Sequence, residues 1–215
     1  MESKFFKFYS DFSKLNLSRE TCLEFETFIS MIEKKNKEIN LISRKINDKS
    51  LIRQRHIIDS MQIVDFVDLN SNTTTDIGTG GGMPGIIIAI IMKKLQNKMK
   101  INLYEKSFNK CVFLREVSKK LKLNTEIIQK DIFLIKNIYT GSIMSRAFKP
   151  LPVILNLINN NFKKYKNIIL FMGSTGKKIL KETLTEWDLE YEEKKSLTND
   201  DSFLLNIKKI KKKHI

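Results

Sequence analysis

The sequence predicts an α/β fold in which a helical extension precedes a parallel, doubly wound sheet. Three observations predict it. Strand and helix patterns alternate from residue 73 onward, residues 1–66 contain neither glycine nor proline, and a glycine-rich segment joins one strand to one helix. Alternation of this kind is typical of parallel sheets covered by helices. We therefore expect a helical extension over residues 1–70 and one compact α/β unit over residues 71–215.

The extension is predicted from hydrophobic periodicity. Between residues 18 and 40 the apolar side chains recur at the spacing of an amphipathic helix, and Ser18 is a suitable N-cap. A second helical stretch is expected over residues 49–67, and it carries several polar side chains: Arg53, Arg55, His56, Asp59 and Ser60.

The α/β unit is predicted from short β-branched runs that alternate with longer helical patterns. Strands are expected at residues 73–77, 101–104, 125–128, 142–145 and 167–171, and helices at 85–95, 109–121 and 177–186. No helix is evident between residues 188–192 and 203–207, so these two segments can pair antiparallel at the sheet edge. The lysine-rich segment 208–213 is expected to be a frayed basic end.

Composition limits the class of protein. Hydrophobic residues make up 41% of the chain and charged residues 29%, as in globular proteins. The longest apolar run, residues 86–92, is too short to span a membrane, and the two cysteines form no disulfide framework. We therefore expect a cytoplasmic protein. The net charge of +15 favours an acidic partner such as nucleic acid, although AT-rich coding is an alternative source of lysine.

Glycine is concentrated in one place. Five of the eight glycines lie in the segment Asp76-Ile-Gly-Thr-Gly-Gly-Gly-Met-Pro-Gly85, between a predicted strand and a predicted helix. Glycines permit a tight turn there and let a ligand approach the backbone and the helix N-terminus. An ordinary strand-to-helix turn is the alternative, but such a turn does not require five glycines. The segment predicts a ligand site at the carboxyl ends of the strands.

Two cofactor classes fit this segment. Residues 80–85 satisfy the dinucleotide fingerprint, and Glu105 ends the next strand, where an acid holds the ribose of NAD. Asp76, however, would repel a phosphate and would favour the ammonium and sulfonium groups of S-adenosylmethionine. We predict S-adenosylmethionine, with these candidate contacts: Asp76, Gly78, Thr79, Gly80, Gly82, Met83, Pro84, Glu105, Asp131, Ile132 and Arg146. For Asp131, a helix N-cap or turn role is equally open.

Several classes of methyl acceptor can be excluded because the sequence lacks the residues that their methylation requires. Methylation of pyrimidine C5 requires a suitably placed cysteine, and neither Cys22 nor Cys111 lies in a strand-end loop. An Asn/Asp-Pro-Pro-aromatic loop, which methylation of a base amino group uses, is absent, and histidines and acids are too few or too scattered for a metal site. An acceptor that is already nucleophilic, such as guanine N7, needs none of these groups, because positioning supplies most of the rate.

The sequence also resembles a known family, the glucose-inhibited division protein B family of small-subunit ribosomal RNA guanine-N7 methyltransferases. The resemblance covers residues 20–175 and rests on blocks that occur in the family's order: Asn40-Leu-Ile, Arg55-His-Ile-Ile-Asp-Ser60, Asp76 to Gly85, Glu105-Lys-Ser, Lys110-x-x-Phe-Leu and Ser145-Arg-Ala-Phe148.

The resemblance implies a Rossmann-like class I S-adenosylmethionine methyltransferase sheet with an N-terminal helical extension. It implies methylation of N7 of one guanine in the 530 loop of bacterial 16S rRNA, with the small ribosomal subunit as partner. We also expect no metal, no membrane partner and a monomeric enzyme. We expect Arg146 to position the substrate, and anchoring a carboxylate is the structural alternative for this residue. We expect His56 to touch substrate or cofactor, and a hydrogen bond to Asp59 within the helix is equally open. An NAD-dependent oxidoreductase and a non-catalytic RNA-binding module are the alternatives.

Overall fold

The computed structural model describes residues 17–43 and 48–213, and the parts of the predicted helical extension at residues 1–16 and 44–47 lie outside this range. Helix α1 (Arg19–Lys35) begins at the predicted N-cap, where the Ser18 hydroxyl accepts the Thr21 N–H at 3.2 Å. It ends earlier than residue 40, so the predicted end is wrong. The Asn36 side chain accepts the N–H groups of residues 41 and 42, and this side-chain turn replaces further helix.

The second helical stretch is a succession of short helices and not the single helix predicted over residues 49–67. In order they are α2 (Lys49–Ile52), a π-helix (Arg53–Ile58), α3 (Asp59–Met61) and a 3₁₀ helix (Val64–Phe66). π-helical segments occur mostly as single turns inside α-helices, and they are frequent at functional sites. Here the widened turn contains His56, one of the predicted site residues.

A seven-stranded sheet forms the centre of the molecule. The nine strands of the described residues are β1 (Thr73–Ile77), β2 (Lys100–Tyr104), β3 (Thr125–Ile128), β4 (Ile138–Tyr139), β5 (Ser142–Ser145), β6 (Phe162–Lys164), β7 (Asn167–Met172), β8 (Trp187–Lys195) and β9 (Phe203–Lys212). The order in the large sheet is β3-β2-β1-β5-β7-β9-β8, with the first five parallel. Strands β4 and β6 form a separate pair that the sequence did not predict.

Four helices connect the strands of the α/β unit: α4 (Gly85–Lys94), α5 (Phe108–Leu121), α6 (Leu151–Asn161) and α7 (Gly176–Thr183). A short 3₁₀ helix (Ile132–Leu134) follows β3. Helix α6 is not among the helices predicted from the sequence. Its first residues include Pro152, and proline is favoured in the first turn of a helix, where no N–H partner is needed.

The sheet edge confirms one prediction and overturns another. Strands β8 and β9 pair antiparallel, as expected, and β9 also pairs antiparallel with β7. The segment 208–213 is not a frayed end, because β9 continues through Lys212, which lies opposite Trp187 of β8. The Trp187 ring is fully buried, and the Lys212 ammonium lies 5.9 Å from its centroid. Ladder pairing along β8 holds these lysines in a strand.

The extension shares a hydrophobic core with the sheet. Helix α1 packs against α4 and α5, and the rings of Phe28 and Phe113 lie 6.4 Å apart. Burial of several large apolar side chains of α1 fixes this helix on the sheet. None of the helices in the described part of the chain is both long and apolar enough to cross a bilayer. The shared core places the π-helix near the carboxyl ends of β1 and β5.

Candidate functional site

A cavity of about 630 Å³ lies at the carboxyl ends of the parallel strands. Its walls come from the loops after β1, β2, β3 and β5 and from the helical extension. Strand β1 has β2 on one side and β5 on the other, so the strand order reverses at this point. Such a switch point is where doubly wound sheets bind ligands. The cavity brings together predicted residues from all four loops.

The glycine loop forms one wall of the cavity. Gly78, Gly80 and Gly82 have φ angles of 69°, 57° and 96°, a conformation that side chains disfavour. Gly78 and Gly80 line the cavity, but Gly82 faces the core, where an added Cβ would lie 2.7 Å from Ile86. At Gly78 an added Cβ would lie 2.1 Å from the Phe148 ring. Glycine is therefore required at Gly78 and Gly82 both by the positive φ and by the lack of space for a Cβ.

Asp76 lies beneath this loop and is not part of the cavity wall. Its Oδ2 accepts the Gly85 N–H at 2.8 Å and the Thr79 hydroxyl at 2.6 Å, so one carboxylate joins the two ends of the loop. Complete burial raises the pKa of Asp76 to about 7, although the two hydrogen bonds act in the opposite direction. The geometry shows Asp76 organising the glycine loop.

The other predicted residues of the glycine loop also fall into two groups: some line the cavity and one is buried away from it. Thr79 and Met83 line the cavity, and the Thr79 N–H donates to the Tyr104 carbonyl at 3.1 Å, which ties the loop to β2. Pro84 is buried at the N-cap of α4 and does not line the cavity. The loop is thus held by β1, β2 and α4.

Glu105 follows β2 and lines the cavity. Its Oε2 accepts the Gly80 N–H at 3.1 Å, and its Oε1 accepts the Ser107 N–H at 2.8 Å. Each oxygen retains a lone pair, since a carboxylate oxygen can accept two hydrogen bonds. Glu105 therefore stands fixed as an acceptor beside the loop, in the position predicted to hold a ribose.

Asp131 and Ile132 follow β3 and also line the cavity. Asp131 is the N-cap of the 3₁₀ helix, and its Oδ1 accepts the Phe133 N–H at 3.1 Å. Its other oxygen lies 3.9 Å from the Lys106 ammonium. The capping role left open by the sequence is thus observed, and Ile132 supplies buried apolar surface beside it.

Arg146 follows β5 and is held by three groups of the extension. Its Nη1 lies 2.7 Å from His56 Nδ1, its Nη2 donates to the Arg55 carbonyl at 2.5 Å, and its Nη2 forms an ion pair with Asp59 Oδ2 at 3.0 Å. The guanidinium also lies 5.6 Å from the Phe171 ring centroid. Arg146 therefore connects the extension to the sheet, and it lines the cavity.

The contact between Arg146 Nη1 and His56 Nδ1 determines which ring nitrogen of His56 carries the proton. A guanidinium can only donate, so Nδ1 must accept and the ring proton must lie on Nε2. Burial, with the charges of Arg146 and Arg55 adding to it, lowers the pKa of His56 to about 3. His56 lines the cavity, and its Nε2 is buried without a hydrogen-bond partner among the described residues. The ring is therefore a neutral donor that still lacks an acceptor.

Sequence reasoning missed several residues of this site. The Phe133 and Phe148 rings, 6.0 Å apart, line the cavity beside Gly78. Asp59 is the ion partner of Arg146. Phe148 and Asp59 belong to the blocks Ser145-Arg-Ala-Phe148 and Arg55-His-Ile-Ile-Asp-Ser60, so those blocks were the signal that could have found them. Within the described part of the chain, no cluster of three acidic, histidine or cysteine side chains could hold a metal.

Comparison with known proteins agrees with this architecture. Residues 21–203 match the family GidB, described as rRNA small subunit methyltransferase G. A relative from Pelagibacter ubique (strain HTCC1062), named ribosomal RNA small subunit methyltransferase G, is 57% identical over 209 residues, which cover 97% of this chain and 98% of the relative.

Solved structures with similar folds have low sequence identity. A SAM-dependent methyltransferase from Aquifex aeolicus has a TM-score of 0.54 at 13% identity, covering 76% of this chain and 95% of that chain. A mutant of MtNAS in complex with S-adenosylmethionine has a TM-score of 0.57 at 15% identity, covering 91% and 77%. These likenesses confirm the predicted fold class. With the family match over most of its length, the chain belongs to the GidB family of rRNA small subunit methyltransferases.

Proposed function

We propose that this protein transfers a methyl group from S-adenosylmethionine to N7 of a guanine in the 530 loop of 16S rRNA. The observation that carries the proposal is the convergence of the glycine loop, Glu105, His56 and Arg146 on one cavity at the sheet's switch point. Membership of the GidB family supports a methyltransferase over the two alternatives, an NAD-dependent oxidoreductase and a non-catalytic RNA-binding module.

The cavity fits S-adenosylmethionine by the chemistry of its walls. Glu105 would accept the ribose hydroxyls, and the Ile132 and Phe133 side chains would cover the adenine beside Asp131. The backbone of Gly78 and Gly80, which lines the cavity, would face the amino-acid end. When bound, S-adenosylmethionine supplies an activated methyl group on a sulfonium.

Guanine N7 is favoured as the acceptor because, among the described residues, the three titratable groups that surround Arg146 or lie under the glycine loop are not suited to removing a proton. His56 has its only lone pair directed at Arg146 and a pKa of about 3. Asp59 is ion-paired with Arg146, and Asp76 lies below the loop. Guanine N7 already carries a lone pair, so alignment with the methyl group is the main requirement. An acceptor that must first lose a proton would need a base, and none of these three groups is placed to act as one.

Ribosomal RNA as the substrate is supported by charge as well as by the names of the relatives. Four lysines line the mouth of the cavity: Lys106, Lys110, Lys130 and Lys149. Phosphate contacts by such lysines would position an RNA without reading its sequence. A substrate of this kind places the enzyme in the cytoplasm, where we infer that it acts as a monomer.

The proposal is tested by mapping N7-methylguanine in 16S rRNA after loss of the gene. We expect one modified guanine in the 530 loop to lose its methyl group, and purified enzyme with S-adenosylmethionine to restore it on isolated small subunits. If the guanine stays methylated in the deletion strain, or if the purified enzyme methylates a different atom, the proposed function is wrong.

A further inference from the structure

A second cavity, also of about 630 Å³, lies beside the first. Its walls come from the carboxyl end of β7, from the extension and from the loop between β8 and β9. Arg146 and Ala147 line both cavities. They form the shared boundary between the proposed cofactor cavity and this second space.

The boundary between the two cavities is thin at Ala147. Ala147 has a φ angle of 50°, a left-handed conformation that is uncommon outside glycine, and its side chain is a single methyl group. Methyl transfer requires the reacting atoms to approach to about 3–3.5 Å. Two ligands on opposite sides of Arg146 and Ala147 can meet that requirement only at this boundary.

The second cavity offers the chemistry that recognises a nucleobase. The half-buried ring of Phe171 forms part of its wall, near the Arg146 guanidinium. Planar aromatic and guanidinium groups are the surfaces on which unstacked RNA bases are held. Hydroxyl and amide side chains complete the polar part of the wall: Ser196, Thr198, Asn199 and Ser202.

The outer wall is held in place before any ligand enters. The Thr198 hydroxyl donates to Asp59 Oδ1 at 2.8 Å, and the Leu197 N–H donates to the buried Gln62 side chain at 3.0 Å. Asp59 therefore contacts both the β8–β9 loop and Arg146. The extension fixes two walls of the second cavity through one carboxylate.

We propose that the second cavity is the acceptor-base site, in which the target guanine leaves its stack, lies on the Phe171 ring and presents N7 at the Arg146–Ala147 boundary. This rests on the proposed function. The N7 lone pair forms the new bond to the methyl carbon while the carbon–sulfur bond breaks and sulfur keeps that electron pair. The base gains the positive charge that the sulfonium loses. The Asp59 carboxylate neutralises Arg146, so the guanidinium does not oppose the charge arriving on the base.

The test compares Phe171→Ala, Phe171→Leu and Phe171→Tyr with the control Tyr139→Ala. Tyr139 is an exposed aromatic residue on β4 and lines neither cavity. Substrates are small subunits from the deletion strain, and the readouts are S-adenosylmethionine affinity, KM for subunits and the single-turnover rate. Loss of base stacking should lower kcat/KM for subunits by about 5- to 100-fold in Phe171→Ala. The leucine variant should be intermediate, the tyrosine variant close to wild type, and cofactor affinity unchanged.

Two results would overturn the inference. One is Phe171→Ala methylating subunits as well as Tyr139→Ala does. The other combines full activity of Phe171→Leu with a raised KM for subunits in Arg55→Ala. Because Arg55 also lines the second cavity, this combination would mean that the cavity holds a backbone phosphate. If Phe171→Ala fails to fold, a photocrosslinking experiment tests the site instead. Wild-type enzyme is crosslinked to subunits that carry 6-thioguanosine at the target position. A crosslink to residues 171–173 or 196–204 supports the site, and one elsewhere overturns it. Failure of the proposed function can be distinguished from failure of this inference, because wild-type enzyme would then make no N7-methylguanine.

Discussion

The two walls of the proposed cofactor cavity are built in different ways. The glycine loop is assembled within ten residues, since Asp76 bonds to Thr79 and to Gly85 along the same stretch of chain. The opposite wall is assembled from distant segments, since Arg146 contacts His56 across 90 positions of sequence. The first wall is a local motif, and the second exists only when the extension is docked on the sheet.

This difference separates two roles. The local wall presents backbone and fixed acceptors, which suit the constant groups of a cofactor. The long-range wall contains an arginine whose charge is balanced by Asp59 and a histidine whose tautomer is fixed by that arginine. We infer that the first wall determines cofactor binding and that the second determines acceptor placement. If these roles are separate, a substitution in one wall should change one of the two functions and spare the other.

The largest effect is expected from Arg146→Ala. Removal of the guanidinium leaves the Asp59 carboxylate half-buried and without its ion partner, which costs about 3 kcal/mol of folding free energy. Single-turnover methylation should fall by more than about 100-fold, while S-adenosylmethionine affinity stays near wild type. Arg146→Lys should rescue only partly, because the planar fork that serves three partners is lost. Urea unfolding, cofactor titration and single-turnover assays on small subunits measure the three quantities.

A double-mutant cycle with Asp59→Asn is the control for this prediction. If the two residues act as a pair, the double variant should lose less stability than the sum of the single variants. Additive losses, or a large fall in cofactor affinity in Arg146→Ala, would contradict the division between the walls.

Salt should act on RNA binding and not on chemistry. If the four lysines at the cavity mouth each meet a phosphate, affinity for small subunits should fall by about 100-fold between about 50 and 200 mM salt. Single-turnover rates on prebound subunits should change little. Lys130→Ala should reduce the slope of log affinity against log salt by about one, measured by filter binding. If the affinity does not change with salt, the lysines do not bind phosphates, and AT-rich coding is the better explanation of their number.

Glu105→Ala should weaken S-adenosylmethionine binding by about 10- to 100-fold, because a charged acceptor of hydrogen bonds is lost. The rate of methyl transfer at saturating cofactor should change much less. Glu126→Ala, which removes a carboxylate of β3 that lies outside the cavity, is the matched control. Isothermal titration measures the affinities, and an unchanged affinity in folded Glu105→Ala would remove this residue from the cofactor site.

The smallest effects concern pH. The folded pKa of Asp76, about 7, is above its ordinary 3.8, so its contribution to stability falls as pH rises from about 4 to about 7. The folded pKa of His56, about 3, is below 6.5, so its contribution rises from about pH 3 to about pH 6.5. Between pH 5 and pH 6.5 the two slopes oppose each other.

Single substitutions should expose each slope. Over that interval Asp76→Asn should become more stable as pH rises, and His56→Gln less stable, each by about 1 kcal/mol per pH unit. Urea unfolding without cofactor across pH 5–7.5 measures this. Identical slopes in both variants and the wild type would mean that neither group titrates as its burial requires.

The sequence predicted the sheet, its parallel strands and its antiparallel edge, because β-branched runs and glycine turns are local signals. The predicted helix bounds in the extension were wrong. The Asn36 side chain ends α1 early, and the chain after Lys49 changes from α- to π-helix. Helix α6 was also not predicted, and the end of β9 was wrongly predicted to be frayed. Helix ends and edge strands depend on partners that local periodicity does not contain.

The glycine loop, the acid after β2 and the family can be recognised from the amino-acid sequence alone, because each is a short pattern whose chemistry is carried by adjacent residues. The position of Asp76 under the loop, the ion pair between Arg146 and Asp59 and the neutral state of His56 are evident only in the folded chain. These facts depend on burial and on which partner each charge meets. Both are set when the extension packs onto the sheet.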